Sequence, residues 1–234
     1  MHHKNLTFVE LFCGSAKSTM VFQNAGFKTW NTDRRNRAGK CEPNHQADLF
    51  DVSRSNIPFN SVNVLWASIP CEPYSYAAGN FYWADKLPTK SAVENIELLD
   101  YTLKLIAEIC PDLYFIENPR GHLRYQKLMV DFLVKSGGMI KPISMGSYGF
   151  PSTKPTDIFT NALKWQPLPM LPFGRGAKNA NDFNFSNLTV CQRQATPVML
   201  AESVKDFCVQ HFENSYESKM QEIAWRLPGA CEAF

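Results

Sequence analysis

Apolar runs alternate with amphipathic stretches through most of the chain. Leu6–Leu11 is a short apolar run ending at Phe12-Cys13-Gly14-Ser15, and a helical stretch follows it towards Gly26. Phe27–Thr32 reads as a second strand, stopped by the polar Asp33-Arg34-Arg35-Asn36. Val62–Ser68 is a third, bounded by turn residues before it and by Pro70 after it. From about Ser91 to Ile109 the apolar residues Val93, Ile96, Leu99, Leu103, Ile106 and Ile109 recur at helical spacing, and Ser91 with Glu94 matches a capping box. Leu113–Glu117 is another buried strand, and Tyr125–Lys135 a helix that stops before Gly137-Gly138. Met139–Met145 and Asp157–Asn161 complete the strand-like runs. This alternation predicts β-α units and an α/β fold on a doubly wound, mostly parallel sheet.

Phe150 to Asn187 breaks the pattern with Pro151, Pro155, Pro167, Pro169 and Pro172, then a Gly-Arg-Gly and an Asn-rich run. Such composition is loop material, and its place suggests a substrate-facing insertion. Pro197–Phe212 returns to helix, and the residues after Leu227 read as a tail. The expected organisation is an α/β domain over 1–161, a loop-rich segment over 162–190, and a helix and tail over 191–234 packed on the domain.

The chain has 234 residues, enough for one substantial α/β domain with a small appendage, and 44% hydrophobic content supports a packed core. A net charge of only +2 leaves any nucleic-acid contact to local basic surface. Arg34, Arg35, Arg37 and Lys40 form one such cluster, and Arg120, Arg124 and Lys127 another; taken alone, each reads first as a solvated rim. The seven cysteines (13, 41, 71, 110, 191, 208 and 231) are odd in number and lack C-x-x-C spacing. That argues against a disulfide framework or zinc site and for a reducing compartment. There is no membrane-length apolar run and no apolar signal-peptide core. The expectation is a cytoplasmic protein with no metal and no membrane partner.

Ligands of an open parallel sheet sit at the carboxyl ends of its strands, beside the point where strand order reverses. Phe12-Cys13-Gly14-Ser15 follows the first strand, where a turn brings backbone amides to a ligand carboxylate. Asp33 lies just past the second strand, placed to accept hydrogen bonds from ribose hydroxyls, and Asp48 could take an adenine amino group. The glycine turn alone reads as a structural turn; a turn and two acids in order point to an adenosyl ligand. Ser68-Ile69-Pro70-Cys71-Glu72-Pro73-Tyr74-Ser75 directly follows a strand, and prolines on both sides of Cys71 stiffen the backbone that would aim a nucleophile. Glu117-Asn118-Pro119-Arg120-Gly121 ends the next strand, so its carboxylate should enter the same crevice. A cysteine alone is usually buried and inert, and a lone glutamate is as readily a cap. Together, a thiol and an acid suit attack on an electron-poor ring, with proton delivery to a ring nitrogen.

These residues carry a family resemblance. Val9-Glu10-Leu11-Phe12-Cys13-Gly14 resembles the methyl-donor motif of cytosine-C5 methyltransferases, Pro70-Cys71 their catalytic proline-cysteine, and Glu117-Asn118-Pro119 their glutamate-asparagine-valine motif. Tyr148-Gly149-Phe150-Pro151 is similar to the tyrosine-glycine-x-proline that opens their next motif. The motifs run in the family's order from about Leu6 to Asn161, and Lys154-Pro155-Thr156-Asp157-Ile158 looks like the compact bacteriophage forms.

The resemblance implies a Rossmann-like, class I S-adenosylmethionine-dependent fold. It implies S-adenosylmethionine held by Phe12, Cys13, Gly14, Ser15, Asp33, Arg34, Asp48, Leu49 and Pro70, with DNA as substrate in a bacterial or phage-infected cytoplasm. Ser75, Asn118, Pro119 and Arg120 would contact that substrate. Cys71 would add to C6 of a cytosine flipped out of the duplex while Glu117 protonates N3; C5 would then take the methyl and lose its proton as the thiol leaves. Three departures stand out. Ser15-Ala16-Lys17-Ser18 replaces a glycine-richer turn. The family's glutamine-arginine-x-arginine is missing, with Lys154 the nearest basic substitute. A short loop stands where family members carry a target-recognition domain, which implies little sequence discrimination. Arg193 to Leu200 reads as a relic of the last motif. A non-catalytic relative, and the same chemistry on RNA or a free nucleotide, remain open; a nicotinamide dehydrogenase fits poorly, since Gly14 is not part of G-x-G-x-x-G.

Overall fold

The computed structural model describes residues 5–34, 43–75, 81–84, 87–171 and 195–226. Arg35, Arg37 and Lys40, most of the loop after Leu171, Arg193 and the tail lie outside the described residues.

The strands are β1 (Thr7–Leu11), β2 (Lys28–Asp33), β3 (His45–Gln46), β4 (Val64–Ser68), β5 (Trp83–Ala84), β6 (Leu87–Pro88), β7 (Leu113–Pro119), β8 (Met139–Ser144) and β9 (Pro155–Thr160). The helices are α1 (Lys17–Asn24), α2 (Lys90–Ile109), α3 (Lys127–Ser136) and α4 (Val198–Arg226). Seven strands form one sheet in the order β3-β2-β1-β4-β7-β9-β8, and β5 and β6 pair separately as a small antiparallel ladder. All neighbours in the main sheet are parallel except those of β9, which runs antiparallel to both β7 and β8. From β1 the chain winds outward through β2 to β3, then crosses back to β4, so strand order reverses between β1 and β4.

The continuous apolar runs arise because the sheet is covered on both faces. Alternate residues serve different cores. Val9, Leu11, Leu65, Ala67, Tyr114, Ile116 and Phe159 join one cluster with Leu99, Leu103 and Ile106 of α2 and Met129 and Leu133 of α3. Phe8, Val64, Trp66, Phe115 and Ile158 join the other, with Phe22 of α1 and Leu200, Val204 and Cys208 of α4. The doubly wound, mostly parallel sheet is therefore as the pattern predicts.

Two local readings change. The Ser91–Glu94 capping box does not form: Thr89 is the N-cap of α2, and its hydroxyl donates to the carbonyls of Phe81 and Tyr82. The helix thereby begins against β5 and β6. The second basic cluster is also not a uniform solvated rim, since Lys127 pairs with Asp131 on its own helix while Arg124 is bound to the buried Asp157.

Glu10 is the one carboxylate within the buried run of β1. It shares its face with Phe8, towards α1, and there Oε2 accepts the backbone N–H (2.9 Å) and the hydroxyl of Thr19. Asn31 of β2 donates to the same Thr19 hydroxyl at 3.1 Å. Burial raises the Glu10 carboxyl from about 4.5 to about 7, against the lowering effect of these hydrogen bonds. A carboxyl raised in the folded state contributes stability that is complete below the unfolded value and is lost as pH rises through the folded one. Wild type should therefore lose about 3 kcal/mol relative to Glu10→Gln between about pH 4.5 and 7. Denaturant melts of both proteins across that window check it; parallel stability curves would contradict it.

Candidate active site

The carboxyl edge of the sheet collects the residues that the motifs single out. After β1 the backbone turns sharply, with left-handed φ of 59° at Phe12, 53° at Gly14 and 49° at Ala16. The turn is laced to β2: Cys13 N–H donates to the Thr32 carbonyl at 3.0 Å, and Gly14 N–H to Asp33 Oδ2 at 2.9 Å. That bond uses one of the roughly four acceptor positions of a carboxylate. A Cβ built on Gly14 would meet nothing within 4 Å, so the turn faces open space. Asp48 caps the short 3-10 turn Leu49–Asp51 through the N–H of Phe50, and lies 3.6 Å from Arg34 Nη1. Leu49 is buried beneath it. An adenosyl group fits the open turn and the acid of β2; an adenine amino group at Asp48 would compete with Arg34.

After β4 the chain runs Ile69-Pro70-Cys71 into a tight turn in which Tyr74 and Ser75 N–H both donate to the Cys71 carbonyl, at 3.0 and 2.9 Å. Three further ties fix this turn. Asn118 Nδ2 donates to the Ile69 carbonyl at 2.9 Å, the Trp83 indole N–H to the Pro73 carbonyl, and the Tyr74 hydroxyl to the Asn95 carbonyl of α2. Gly121 closes the other side. It pairs with Ser75 as an isolated bridge, and His122 N–H donates to the Tyr74 carbonyl at 2.6 Å. A Cβ on Gly121 would lie 1.9 Å from the Tyr74 oxygen, so only glycine allows this approach.

Glu117 stands beside this turn, since it pairs with Ser68 in the β4–β7 ladder. It is buried, and Oε1 has no hydrogen-bond partner among the described residues; Lys154 Nζ lies 4.0 Å away. Burial raises the Glu117 carboxyl above its ordinary range, and Lys154 opposes the rise. Lys154 reaches this edge because β9 is antiparallel: the residue before β9 sits where the other strands end. Its backbone φ of 29° is left-handed, and its ammonium lies 5.5 Å from the centre of the Phe150 ring. Burial first, then the charges of Glu72 and Glu117, push the half-buried Cys71 thiol up to about 11, and Lys154 pulls it back.

Cys71, Glu117, Lys154 and Asn118 therefore lie together at one sheet edge, with Pro70, Ser75, Pro119 and Arg120 on the adjoining segments. The donor-side residues lie on the neighbouring strand ends. Sequence reading missed Trp83, and treated Gly121, Asp157 and Glu10 only as parts of motifs. A charged residue inside the apolar run of β1 was a visible signal; the close approach at Gly121 left none. Among the described residues no group of three or more His, Cys, Asp or Glu is arranged to hold a metal, and no helix is long and apolar enough to cross a membrane.

This is the fold of a class I methyltransferase, with a thiol and an acid at its carboxyl edge. The family model for C-5 cytosine-specific DNA methylases matches residues 6–130, more than half of the chain, and the chain belongs to that family. Methyltransferases of this family use S-adenosylmethionine. A prophage-encoded candidate DNA modification methyltransferase from E. coli has a similar structure, with a TM-score of 0.50 at 17% identity over 69% of this chain and 49% of its own. The Dnmt2 methyltransferase of S. pombe matches with a TM-score of 0.46 at 13% identity over 66% of this chain and 48% of its own. A DNMT2 variant from Spodoptera frugiperda gives 0.46 at 18% identity, over 72% and 56%. The first likeness supports the fold, and the chain spans about half the length of these structures. No curated protein matches the chain.

The thiolate is the nucleophile, so reactivity should track ionisation of Cys71. Alkylation of Cys71 by iodoacetamide, followed by peptide mass mapping, should rise about tenfold per pH unit with no plateau below about pH 10. A plateau near neutral pH would contradict the effect of burial on this thiol.

Proposed function

We propose that this chain methylates C5 of cytosine in DNA through a covalent adduct with Cys71, using S-adenosylmethionine. The observation that carries this is Glu117: a buried carboxyl, raised in affinity for its proton, with an unpartnered oxygen beside a cysteine at the same sheet edge. A neutral acid in that position suits a base nitrogen as its partner.

The steps follow from these residues. Cys71 Sγ bonds to C6, and the electrons of the C5–C6 double bond shift towards N3, which takes the Glu117 proton. A protonated Glu117 also removes one of the two negative charges that oppose thiolate formation at Cys71. Lys154 favours the thiolate throughout, and holds the Glu117 carboxylate once its proton is given up. The bound donor supplies a methyl group to C5. A base would then remove the C5 proton, the C6–S bond would break to release the Cys71 thiolate, and N3 would return its proton to Glu117. The Phe12–Ser15 turn, Asp33 and Leu49 would hold the donor, with Arg34, Asp48 and Pro70 at its edges. The cytosine must leave the duplex to expose C6. Only residues 161–197 separate β9 from α4, so base reading would be limited and affinity would rest on phosphates. In this reading the protein is of bacteriophage type and acts in the cytoplasm of a bacterial host.

Oligonucleotides carrying 5-fluorocytosine should trap the protein, because fluorine at C5 cannot leave as a proton does. The adduct should map to Cys71 and vanish in Cys71→Ser with donor affinity unchanged. Glu117→Gln keeps the shape but not the proton, so single-turnover rate should fall about 10²–10⁴-fold with donor affinity little changed. A Glu117→Gln protein that melts lower yet keeps its rate per folded molecule would make Glu117 a scaffold residue. An adduct on another cysteine would remove Cys71 from the mechanism.

A further inference from the structure

Arg124 occupies both oxygens of Asp157: Nε donates to Oδ2 at 2.9 Å and Nη2 to Oδ1 at 2.6 Å. Asp157 is buried on β9, opposite Asn118 of β7. One such two-pronged guanidinium neutralises one carboxylate and fills its best acceptor positions. A second guanidinium nevertheless stands there. Arg120 Nε lies 3.5 Å from Oδ1, is buried, and has no hydrogen-bond partner among the described residues; Nη2 reaches the Met170 sulfur at 3.6 Å. Two cations thus share one anion, where burial makes surplus charge and an unmade hydrogen bond costly.

The placement of Arg120 gives the surplus charge a use. Its backbone N–H donates to the Pro155 carbonyl at 2.9 Å, and the next residue is Gly121, which closes on the turn that follows Cys71. The guanidinium is therefore anchored one residue from the clasp beside the crevice. Its side chain is 30% exposed and that of Arg124 22%, so an anion can reach the pair from solvent. A partly exposed planar fork that shares its carboxylate with a second guanidinium matches a phosphodiester oxygen pair.

We propose that Arg120 binds a backbone phosphate next to the target nucleotide, and that Asp157 and Arg124 are positioning residues that hold it ready. The proposal rests on the methyltransferase reading, which places nucleic acid over Cys71. Arg124 saturates Asp157 and so keeps Arg120 from collapsing onto it.

The test is duplex DNA binding across a salt series, with Cys71→Ser as the background so that no covalent capture enters. Arg120→Gln should weaken binding about tenfold and lower the slope of log affinity against log salt by about one. Its melting temperature should stay near that of the parent. Arg124→Gln frees Asp157 to pair with Arg120, so the slope should fall by a similar amount although residue 120 is unchanged. An unchanged slope in Arg120→Gln overturns the proposal, as does a slope lost only together with the fold. Trapping by 5-fluorocytosine, run with Cys71 in place, separates the two ideas. Trapping with an unchanged Arg120→Gln slope removes the phosphate site alone, whereas a protein that neither binds DNA nor traps removes both.

Discussion

The active edge depends on the contact between Gly121 and the Tyr74 carbonyl. Cys71 follows β4 and Glu117 ends β7, and a parallel ladder fixes the strands but not the loops that leave them. The loops are fixed by each other. His122 N–H meets the Tyr74 oxygen, Ser75 bridges to Gly121, and Asn118 reaches back to the Ile69 carbonyl. A side chain on Gly121 would overlap the Tyr74 oxygen, so the whole arrangement rests on a missing Cβ. Trp83 and Tyr74 then brace the far side of the turn against the small β5–β6 ladder and α2.

Within that frame the charges are coupled. The Cys71 thiol and the Glu117 carboxyl are both held towards their protonated forms by burial, and each carboxylate charge nearby makes the thiolate harder to form. Lys154 is the cation that opposes both shifts. In the proposed reaction a single proton on Glu117 would serve two purposes, one at the base nitrogen and one at the thiol. Glu10 shows that a buried acid can instead have its oxygen occupied from within the protein, here by Thr19.

The strands and the two-sided core were legible because alternate residues of β1, β4 and β7 are apolar on both faces. The placing of Cys71 and Glu117 at one sheet edge was legible because Cys71 follows a strand, Glu117 lies near the end of the next, and both stand among stiff or polar residues. What could not be seen was the direction of β9. Its strand pattern is the same either way, yet only the antiparallel course brings Lys154 to Glu117 and Asp157 to the level of Asn118. Arg124 looked like rim because its partner is distant in sequence. The capping box at Ser91 failed for a similar reason: Thr89 is recruited by the carbonyls of Phe81 and Tyr82, a tertiary contact that outweighs a local motif.

The central claim is that the Gly121–Tyr74 approach sets the relation of Cys71 to Glu117. The direct measurement is the rate of covalent adduct formation with a 5-fluorocytosine oligonucleotide in Gly121→Ala, at saturating donor. The added methyl must push the Cys71 turn away from the end of β7, and a displacement on the order of 1 Å costs about 10²-fold in rate. Adduct formation should therefore fall by about that factor, while far-ultraviolet circular dichroism and donor affinity stay close to wild type. Wild-type adduct formation in Gly121→Ala would contradict the account.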